Sequence, residues 1–239
     1  MKKLICLMMA IIMVMTMAAC ADETEKIYEE AVAAYNAGNY AEAFEKLTIL
    51  GDYEDAAQLL ATIGAEVTGA TVETTTADGT ITTKEEYVFS HGNLVKEAIT
   101  HADGTVIKNY YKYDFSNRCT SETLNQVGGG KVVINHLYDD NMKTRSIRTN
   151  VDKSKDTYEY ICDENGNVVR HTLTFSDGTM DQATYGYNAQ GLVTMITGST
   201  SITTYEYDTF GNVVKEAVTE NNEVVFSATY TYDYIFSVK

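Results

Sequence analysis

The sequence predicts a mainly β protein, in which a curved antiparallel β-meander of about fourteen strands follows a short all-α helical segment. From residue 66 onward polar and apolar residues alternate, and Thr, Tyr and Val dominate, as is typical of strands. After residue 86, a pair of ring-bearing residues with one residue between them precedes a turn seven times, at intervals of 20 to 27 residues. Between residues 20 and 65 the apolar residues instead recur at steps of three and four, which is the helical spacing.

The first 20 residues are typical of an export signal that ends in a lipid-attachment site. Lys2 and Lys3 precede fourteen almost wholly apolar residues, too few for a membrane-spanning helix, which needs about 20. Small residues and Cys20 follow, and this pattern resembles the lipobox of bacterial lipoproteins. The resemblance implies that residues 1–19 are a signal peptide and that Cys20 carries lipid. We therefore expect an extracytoplasmic protein, lipid-anchored to the bacterial membrane or cell surface; secretion with an incidental Cys20 is the alternative.

The net charge excludes one class of partner. Removal of residues 1–19 leaves 16 basic and 34 acidic side chains, a formal charge of −18. Such a surface repels nucleic acid and, within about 8 Å at physiological salt, anionic lipid headgroups. We expect no nucleic-acid partner, and contact with the membrane only through the lipid on Cys20.

Residues 20–65 are expected to hold the lipidated cysteine, a short tether and three helices. The run AVAAYNAGNYAEAFEKL at 31–47 resembles a tetratricopeptide helical hairpin, whose small and aromatic positions are matched by Ala31, Tyr35, Gly38, Tyr40, Ala43 and Phe44. Arrays of that family bind peptides in a groove made by several stacked repeats, and only about one repeat is present here, so peptide capture is not implied. We interpret the segment as a stalk or cap.

Residues 66–239 are predicted to form consecutive hairpins with two kinds of turn. Two-residue type I′ turns are expected at one end of the hairpins, at Asp78-Gly79, Asp103-Gly104, Asp177-Gly178 and Asn221-Asn222. Three-residue loops that end in a left-handed residue are expected at the other end, as in Asp208 to Asn212. Tyr207 should then pair with Val213, and Tyr205 with Lys215. A flat sheet of this width would extend about 65 Å, so curvature is expected; the sequence leaves open whether the sheet closes.

The phrase YxYDxxGN, with a following Val pair, resembles the YD repeats of the RHS family over residues 87–234. Cys162 takes the place of the second tyrosine in one copy. Large members of that family wind such strands into a hollow shell around a toxin and release it with an autoproteolytic motif that contains proline. This chain has no proline and too few strands for such a shell. Encapsulation and self-cleavage are therefore not implied.

A row of tyrosines on one face of the predicted sheet is the candidate ligand-binding stripe. It consists of Tyr111, Tyr113, Tyr158, Tyr160, Tyr185, Tyr187, Tyr205 and Tyr207. Such rings can stack on the apolar faces of sugars, or they can act only as cross-strand pairs, which contribute about 0.2 to 1 kcal/mol each. We expect a noncatalytic binding or surface-scaffold module for surface polysaccharide or protein partners. The alternative is a small relative of the RHS contact-dependent toxin systems.

No catalytic or metal-binding motif follows from residue spacing. The four histidines fall in different repeats, without cysteine or carboxylate at ligand spacing, and the turn carboxylates at 163–167 lack the EF-hand spacing. We expect no catalytic residue, metal or cofactor, with a polysaccharide hydrolase built on paired carboxylates as the alternative. Cys119 and Cys162 are expected to be free thiols, because three strand intervals, about 14 Å, separate them.

Overall fold

The structure is a computed structural model that describes residues 23–238. The described residues divide into two compact units, Val67–Asp233 and a unit made of residues 23–66 with residues 234–238. The expected signal peptide and Cys20 lie outside the described residues. Across residues 23–238, no helix combines the length and the apolar character needed to cross a membrane.

Three helices form the core of the smaller unit: α1 at residues 23–36, α2 at Tyr40–Leu50 and α3 at Ala56–Thr62. Their small and apolar residues at helical spacing pack together, and the buried set is Ala31, Ala34, Ala43, Leu47, Ala56 and Ile63. Gly38, between α1 and α2, has a φ of +77°, which glycine adopts without strain. Phe236 packs on the same core, with its ring centroid 5.2 Å from that of Phe44. The end of the chain therefore belongs to the helical unit.

Fourteen antiparallel strands follow the helices, and each is hydrogen-bonded to the next in chain order. The last strand returns to the first, so the sheet closes into a barrel, and the mainly β meander predicted from the sequence is confirmed. Its first strand begins three residues before the expected boundary at residue 66. The strands are β1 Ile63–Thr76, β2 Gly79–Ser90, β3 Asn93–Thr100, β4 Val106–Tyr113, β5 Cys119–Asn125, β6 Lys131–Asp139, β7 Met142–Thr149, β8 Lys155–Cys162, β9 Val168–Thr174, β10 Met180–Tyr187, β11 Val193–Thr197, β12 Ser201–Tyr207, β13 Val213–Glu220 and β14 Glu223–Val238.

The turns correct one expectation. Asn221 and Asn222 both have positive φ, as a type I′ turn requires. At Asp103-Gly104, Asp177-Gly178 and Asp78-Gly79, only the glycine has a positive φ. The type I′ assignment is therefore wrong at these three turns. The physical cause at Asp103 is that its carboxylate accepts a hydrogen bond from the Thr105 amide, at 2.9 Å. This side-chain bond favours a three-residue loop like those at the other end of the hairpins.

A β-bulge recurs in six hairpins of the described barrel, each time just after the aromatic phrase. Tyr207 pairs with Val213 as expected, but Glu206 pairs with Lys215, so Val214 is an extra residue. Tyr205 consequently pairs with Glu216, and the expected pairing with Lys215 is wrong. Because an extra residue reverses the alternation of side chains, residues three apart across a bulge share one face of the sheet. The extra residues are Val95, Thr120, Thr144, Val169, Thr194 and Val214.

The second ring of each phrase joins one hairpin to the preceding one. These positions form a row beside the turns, which we call the rim row: Phe89, Tyr113, Tyr138, Cys162, Tyr187, Tyr207 and Tyr232. The hydroxyl of Tyr187 donates to the carbonyl of Val168 at 2.7 Å, and that of Tyr232 donates to the carbonyl of Val213 at 2.8 Å. The Cys162 thiol makes the equivalent contact with the Lys143 carbonyl at 3.5 Å, which explains how cysteine can stand in the tyrosine's place. Cys119 and Cys162 are both free thiols, as expected.

The rim-row hydrogen bonds predict the effect of removing one hydroxyl. Tyr187→Phe leaves the Val168 carbonyl without this donor, and we expect the free energy of unfolding to fall by about 1 kcal/mol. Urea denaturation measures the change. The matched control is Tyr110→Phe, at an outward-facing ring that is 44% exposed, and it should change stability by less than about 0.5 kcal/mol. Equal losses in the two variants would contradict the structural role of the rim row.

Candidate functional site

All eight tyrosines of the predicted stripe lie on the more buried face of their strands, which lines the interior of the barrel. Tyr113, Tyr187 and Tyr207 belong to the rim row. Two residues deeper lies a second set, which we call the deep row: Tyr87, Tyr111, His136, Tyr160, Tyr185, Tyr205 and Tyr230. Tyr158 is one step farther from the turns, with its ring stacked on that of Tyr160 at a centroid distance of 6.4 Å. The sequence-predicted stripe is therefore a single inner surface with two rows of different surroundings.

Deep-row hydroxyls contact side chains, whereas rim-row hydroxyls contact the backbone. Tyr111 donates to the carboxylate of Glu97 at 3.2 Å, and Asn109 donates to the same oxygen at 2.8 Å. Tyr87 donates to Glu85 at 2.5 Å. Glu85 faces inward by the ordinary alternation of β2, two residues before Tyr87. Bulges place Glu97 and Glu216 inside, because they bring Glu97 opposite Tyr87 and Glu216 opposite Tyr205. One side of the interior is thus a surface of tyrosine rings and carboxylates.

Burial keeps the deep-row phenols protonated. It raises the pKa of Tyr185 to about 12, and burial together with the Glu216 carboxylate raises that of Tyr230 to about 12. Burial is also the main cause of the raised pKa of Tyr111 and Tyr205, with Glu97 and Glu216 as the next causes. These groups therefore act as neutral hydrogen-bond donors at physiological pH.

Beside Tyr111, on the adjoining part of the inner surface, lies a polar cluster of Cys119, Glu122 and His136, whose ligand-type atoms all lie within 4.8 Å of one another. Glu122 is the cross-strand partner of Tyr111. His136 Nε2 is 2.7 Å from Glu122 Oε1, and His136 Nδ1 is 2.8 Å from Ser146 Oγ. The hydrogen bond from His136 lowers the pKa of Glu122, while burial raises that of Cys119. Sequence spacing did not reveal this cluster, because Cys119 and Glu122 share a face only through the bulge at Thr120.

The cluster resembles a nucleophile, base and acid arrangement but lacks an activated nucleophile. Ser146 is 1% exposed, so a substrate cannot reach its hydroxyl. The Cys119 sulfur has its hydrogen-bond contact with the Ser121 carbonyl, at 3.8 Å, and a raised pKa keeps this thiol protonated. Nucleophilic catalysis requires the thiolate or an adjacent base. The lack of enzyme activity stays a prediction from these observations.

Two clefts open at the end of the barrel that carries the rim row. One, of about 480 Å³, is lined by Tyr207, Phe210, Gln190 and neighbouring turn residues. The other, of about 500 Å³, is lined by Tyr111, Tyr113, Phe115 and His91 among others. Because the second cleft includes the deep-row ring Tyr111, it connects the edge of the barrel with the inner tyrosine surface.

Comparison with known proteins gives one family match over a short part of the chain and several solved structures of low similarity. Residues 187–224 match the RHS Repeat family. No curated protein matches the chain. A porin-like protein from Bacteroides vulgatus ATCC 8482 is 12% identical, with 71% of this chain and 99% of that chain covered and a TM-score of 0.43. A porin-like protein from Bacteroides uniformis ATCC 8492 is 11% identical over 70% and 98%, with a TM-score of 0.39.

The Tc holotoxin pore of Photorhabdus luminescens is a further similar structure. It is 17% identical over 66% of this chain, with a TM-score of 0.31, and the match covers 9% of that chain. The match to the RHS Repeat family confirms the predicted RHS-type repeat over residues 187–224, which include the phrase that begins at Tyr205.

The half-buried imidazole of His171 predicts a pH dependence of stability. Burial lowers its pKa, so the unfolded chain binds a proton at this position more readily just below the ordinary value of about 6.5. Stability should therefore fall as pH drops through that window. In His171→Gln the fall in the urea midpoint between about pH 7.5 and pH 5.5 should be smaller than in the unchanged chain.

The control for this measurement is His91→Asn, which removes a histidine from an exposed turn. Asparagine tolerates the positive φ at that position. This variant should keep the full pH dependence. If His171→Gln keeps it too, His171 is not a cause of the acid destabilisation.

Proposed function

We propose that the chain is a lipid-anchored, extracytoplasmic and noncatalytic binding module that holds a saccharide on its inner tyrosine surface. The observation that carries the proposal is the deep row, in which half-buried tyrosine rings stand beside carboxylates. The apolar faces of a sugar can stack on the tyrosine rings, and the hydroxyl groups of the sugar can donate hydrogen bonds to the carboxylates. This surface therefore offers partners to the apolar faces and to the hydroxyl groups. Protein partners would have to use other parts of the molecule, because the inner surface of a closed barrel cannot accept a folded domain.

The contrast between the two rows supports the deep row as the ligand surface. Rim-row hydroxyls bond backbone carbonyls of the neighbouring hairpin, as Tyr187 does with Val168, and a ligand that displaced them would disrupt the sheet. Deep-row hydroxyls bond other side chains, as Tyr111 does with Glu97. A sugar hydroxyl can replace the phenol as the donor to that carboxylate without disturbing the backbone.

Charge narrows the class of saccharide. The inner carboxylates include Glu85, Glu97 and Glu216, and the chain after residue 19 carries a formal charge of −18. Anionic polymers such as teichoic acids and uronic-acid glycans are therefore disfavoured. We propose neutral saccharides or amino sugars, whose protonated amine also stacks favourably on tyrosine rings.

A glycan array probed with residues 21–239 tests the proposal, since this chain retains every described residue. Tyr205→Ala should weaken binding to the saccharides that score on the array by about tenfold or more, because one lost ring contact of about 1.4 kcal/mol corresponds to that factor. Tyr110→Ala, at the outward-facing ring, is the matched control and should bind normally. Circular dichroism verifies that both variants fold. Array-wide lack of binding, or full binding by folded Tyr205→Ala, would refute the saccharide site.

The proposed anchor predicts where the protein is found in the cell. Cys20→Ser removes the thiol that would carry the lipid, so the protein should move from the membrane fraction to the soluble extracytoplasmic fraction. Labelled fatty acid should be incorporated into the unchanged chain and not into this variant. Cys162→Ser, which removes a cysteine of the barrel, should keep both the label and the membrane association. A Cys20→Ser protein that stays on the membrane would exclude the lipid anchor.

We further propose that the helices form a single tetratricopeptide-like hairpin that acts as a stalk. Support comes from the burial of Ala31 and Ala43 and from the left-handed Gly38 between α1 and α2. The match to the RHS Repeat family over 187–224 favours a second function, that of a small relative of the RHS contact-dependent systems. A bound toxin or immunity protein, rather than a saccharide, would support this second function.

A further inference from the structure

We infer that Cys119, Glu122 and His136 form a binding site for a transition-metal ion of the zinc class on the inner wall of the barrel. The three side chains supply a sulfur, a carboxylate oxygen and an imidazole nitrogen within 4.8 Å of one another. Donors around tetrahedral Zn²⁺ lie about 3.3 to 3.6 Å apart when the metal–donor distances are about 2.0 to 2.3 Å. The 2.7 Å contact between His136 and Glu122 must therefore lengthen by roughly half an ångström, which side-chain rotation can supply.

The histidine is already oriented for metal binding. Its Nδ1 is 2.8 Å from Ser146 Oγ, and Ser146 is in turn hydrogen-bonded to Tyr160. In the metal-free chain Nε2–H donates to Glu122. When the ion binds, the imidazole carries its proton on Nδ1 instead and donates it to Ser146, which leaves the lone pair of Nε2 for the metal. A fixed hydrogen bond on the far nitrogen is the usual support of a metal-binding histidine. Ser146 supplies it from a fully buried position.

The repeat architecture holds the other two ligands. Tyr138 of the rim row donates to the Cys119 carbonyl at 2.8 Å and fixes the backbone of the cysteine. The bulge at Thr120 turns both Cys119 and Glu122 inward. A regular strand would place residues three apart on opposite faces. The rim-row hydrogen bond and the bulge occur in other repeats as well. The site therefore differs from those repeats only in its side chains.

Among the repeats, the cysteine and the histidine of this site each occur at one of the equivalent positions of the described barrel. The positions that correspond to Cys119 in the other bulged hairpins are Leu94, Lys143, Val168, Val193 and Val213. His136 is the one deep-row position of the described barrel that is not a tyrosine. Cys119 and His136 thus replace the residues usual at their positions in two neighbouring hairpins, and their side chains lie next to each other. Packing alone accounts for the aliphatic residues elsewhere but not for this pairing of ligand types.

The donor set selects the kind of ion. Thiolate and imidazole favour Zn²⁺ and related transition metals, whereas Ca²⁺ and Mg²⁺ prefer oxygen ligands only. Binding of the ion releases the proton of the Cys119 thiol. The resulting thiolate and the Glu122 carboxylate then balance the two charges of the ion. The Lys143 ammonium lies close enough to interact with both of these ligands, which adds one positive charge that an anionic fourth ligand would neutralise. Three protein ligands leave a fourth coordination position open towards the interior.

Metal titration of residues 21–239 tests the inference and does not depend on saccharide binding. Competition with a chromophoric chelator should give one Zn²⁺ per chain, and Co²⁺ should produce a near-ultraviolet thiolate-to-cobalt charge-transfer band. Cys119→Ser keeps the size of the side chain but removes the thiolate, so it should abolish the band and weaken Zn²⁺ binding at least about a hundredfold. Ser146→Ala should weaken binding by about 10- to 100-fold through loss of the histidine support.

The matched control is Cys162→Ser, at the other half-buried body cysteine, and it should leave Zn²⁺ stoichiometry and the cobalt band unchanged. Cys119→Ser serves as the main variant because a substitution of buried His136 can disturb folding, and thermal unfolding without metal verifies that the variant is folded. The inference is overturned if the unchanged chain binds no Zn²⁺, if folded Cys119→Ser binds it equally, or if Cys162→Ser removes the band. In those cases the cluster is a hydrogen-bonded network only.

Discussion

The β-bulge that follows six of the seven aromatic phrases decides which side chains face the interior of the barrel. In the second strand of each hairpin, one extra residue reverses the alternation, so that a residue beside the turn and a residue three positions later point the same way. This is how Val213 and Glu216 both come to face inward opposite Tyr207 and Tyr205. Without the bulge, Glu216 would face solvent and Lys215 would enter the interior. The acidic character of the inner surface therefore depends on a feature of strand pairing.

The two rings of each phrase have separate tasks. The tyrosine beside the turn is structural at Tyr138, Tyr187, Tyr207 and Tyr232, because its hydroxyl satisfies a backbone carbonyl of the preceding hairpin, with a contribution of about 1 kcal/mol for each such bond. The aspartate that follows it is structural as well: Asp163 accepts hydrogen bonds from the Asn165 and Asn167 amides, both at 2.9 Å. The deeper ring is not needed for these bonds. Variation at the deep row, where His136 replaces tyrosine, consequently changes the interior without weakening the repeat.

The interior is electrostatically uneven. Around Tyr87 and Tyr111 the carboxylates of Glu85 and Glu97 are close enough that burial and mutual repulsion raise the pKa of Glu85. On the adjoining strands β5 to β7, the pKa of Glu122 is lowered instead because His136 donates to it, and burial lowers the pKa of Lys143. The first region offers acceptors and ring faces to a polyhydroxylated ligand, and the adjoining region offers a thiol, an imidazole and a carboxylate. One repeated scaffold thus presents two chemically different surfaces.

The sequence by itself determined the mainly β architecture, the hairpins in chain order, the positions of the turns and the shared face of the stripe tyrosines, because these follow from local patterning and turn chemistry. Tertiary structure alone decided that the sheet closes, since Thr68 and Asp233, 165 positions apart, must meet in a hydrogen bond. It also decided the pairing of Tyr205 with Glu216 and the meeting of Cys119, Glu122 and His136. The reason is that a bulge arises from hydrogen bonding between two strands. The spacing of residues along one strand therefore cannot show which residues three positions apart share a face of the sheet.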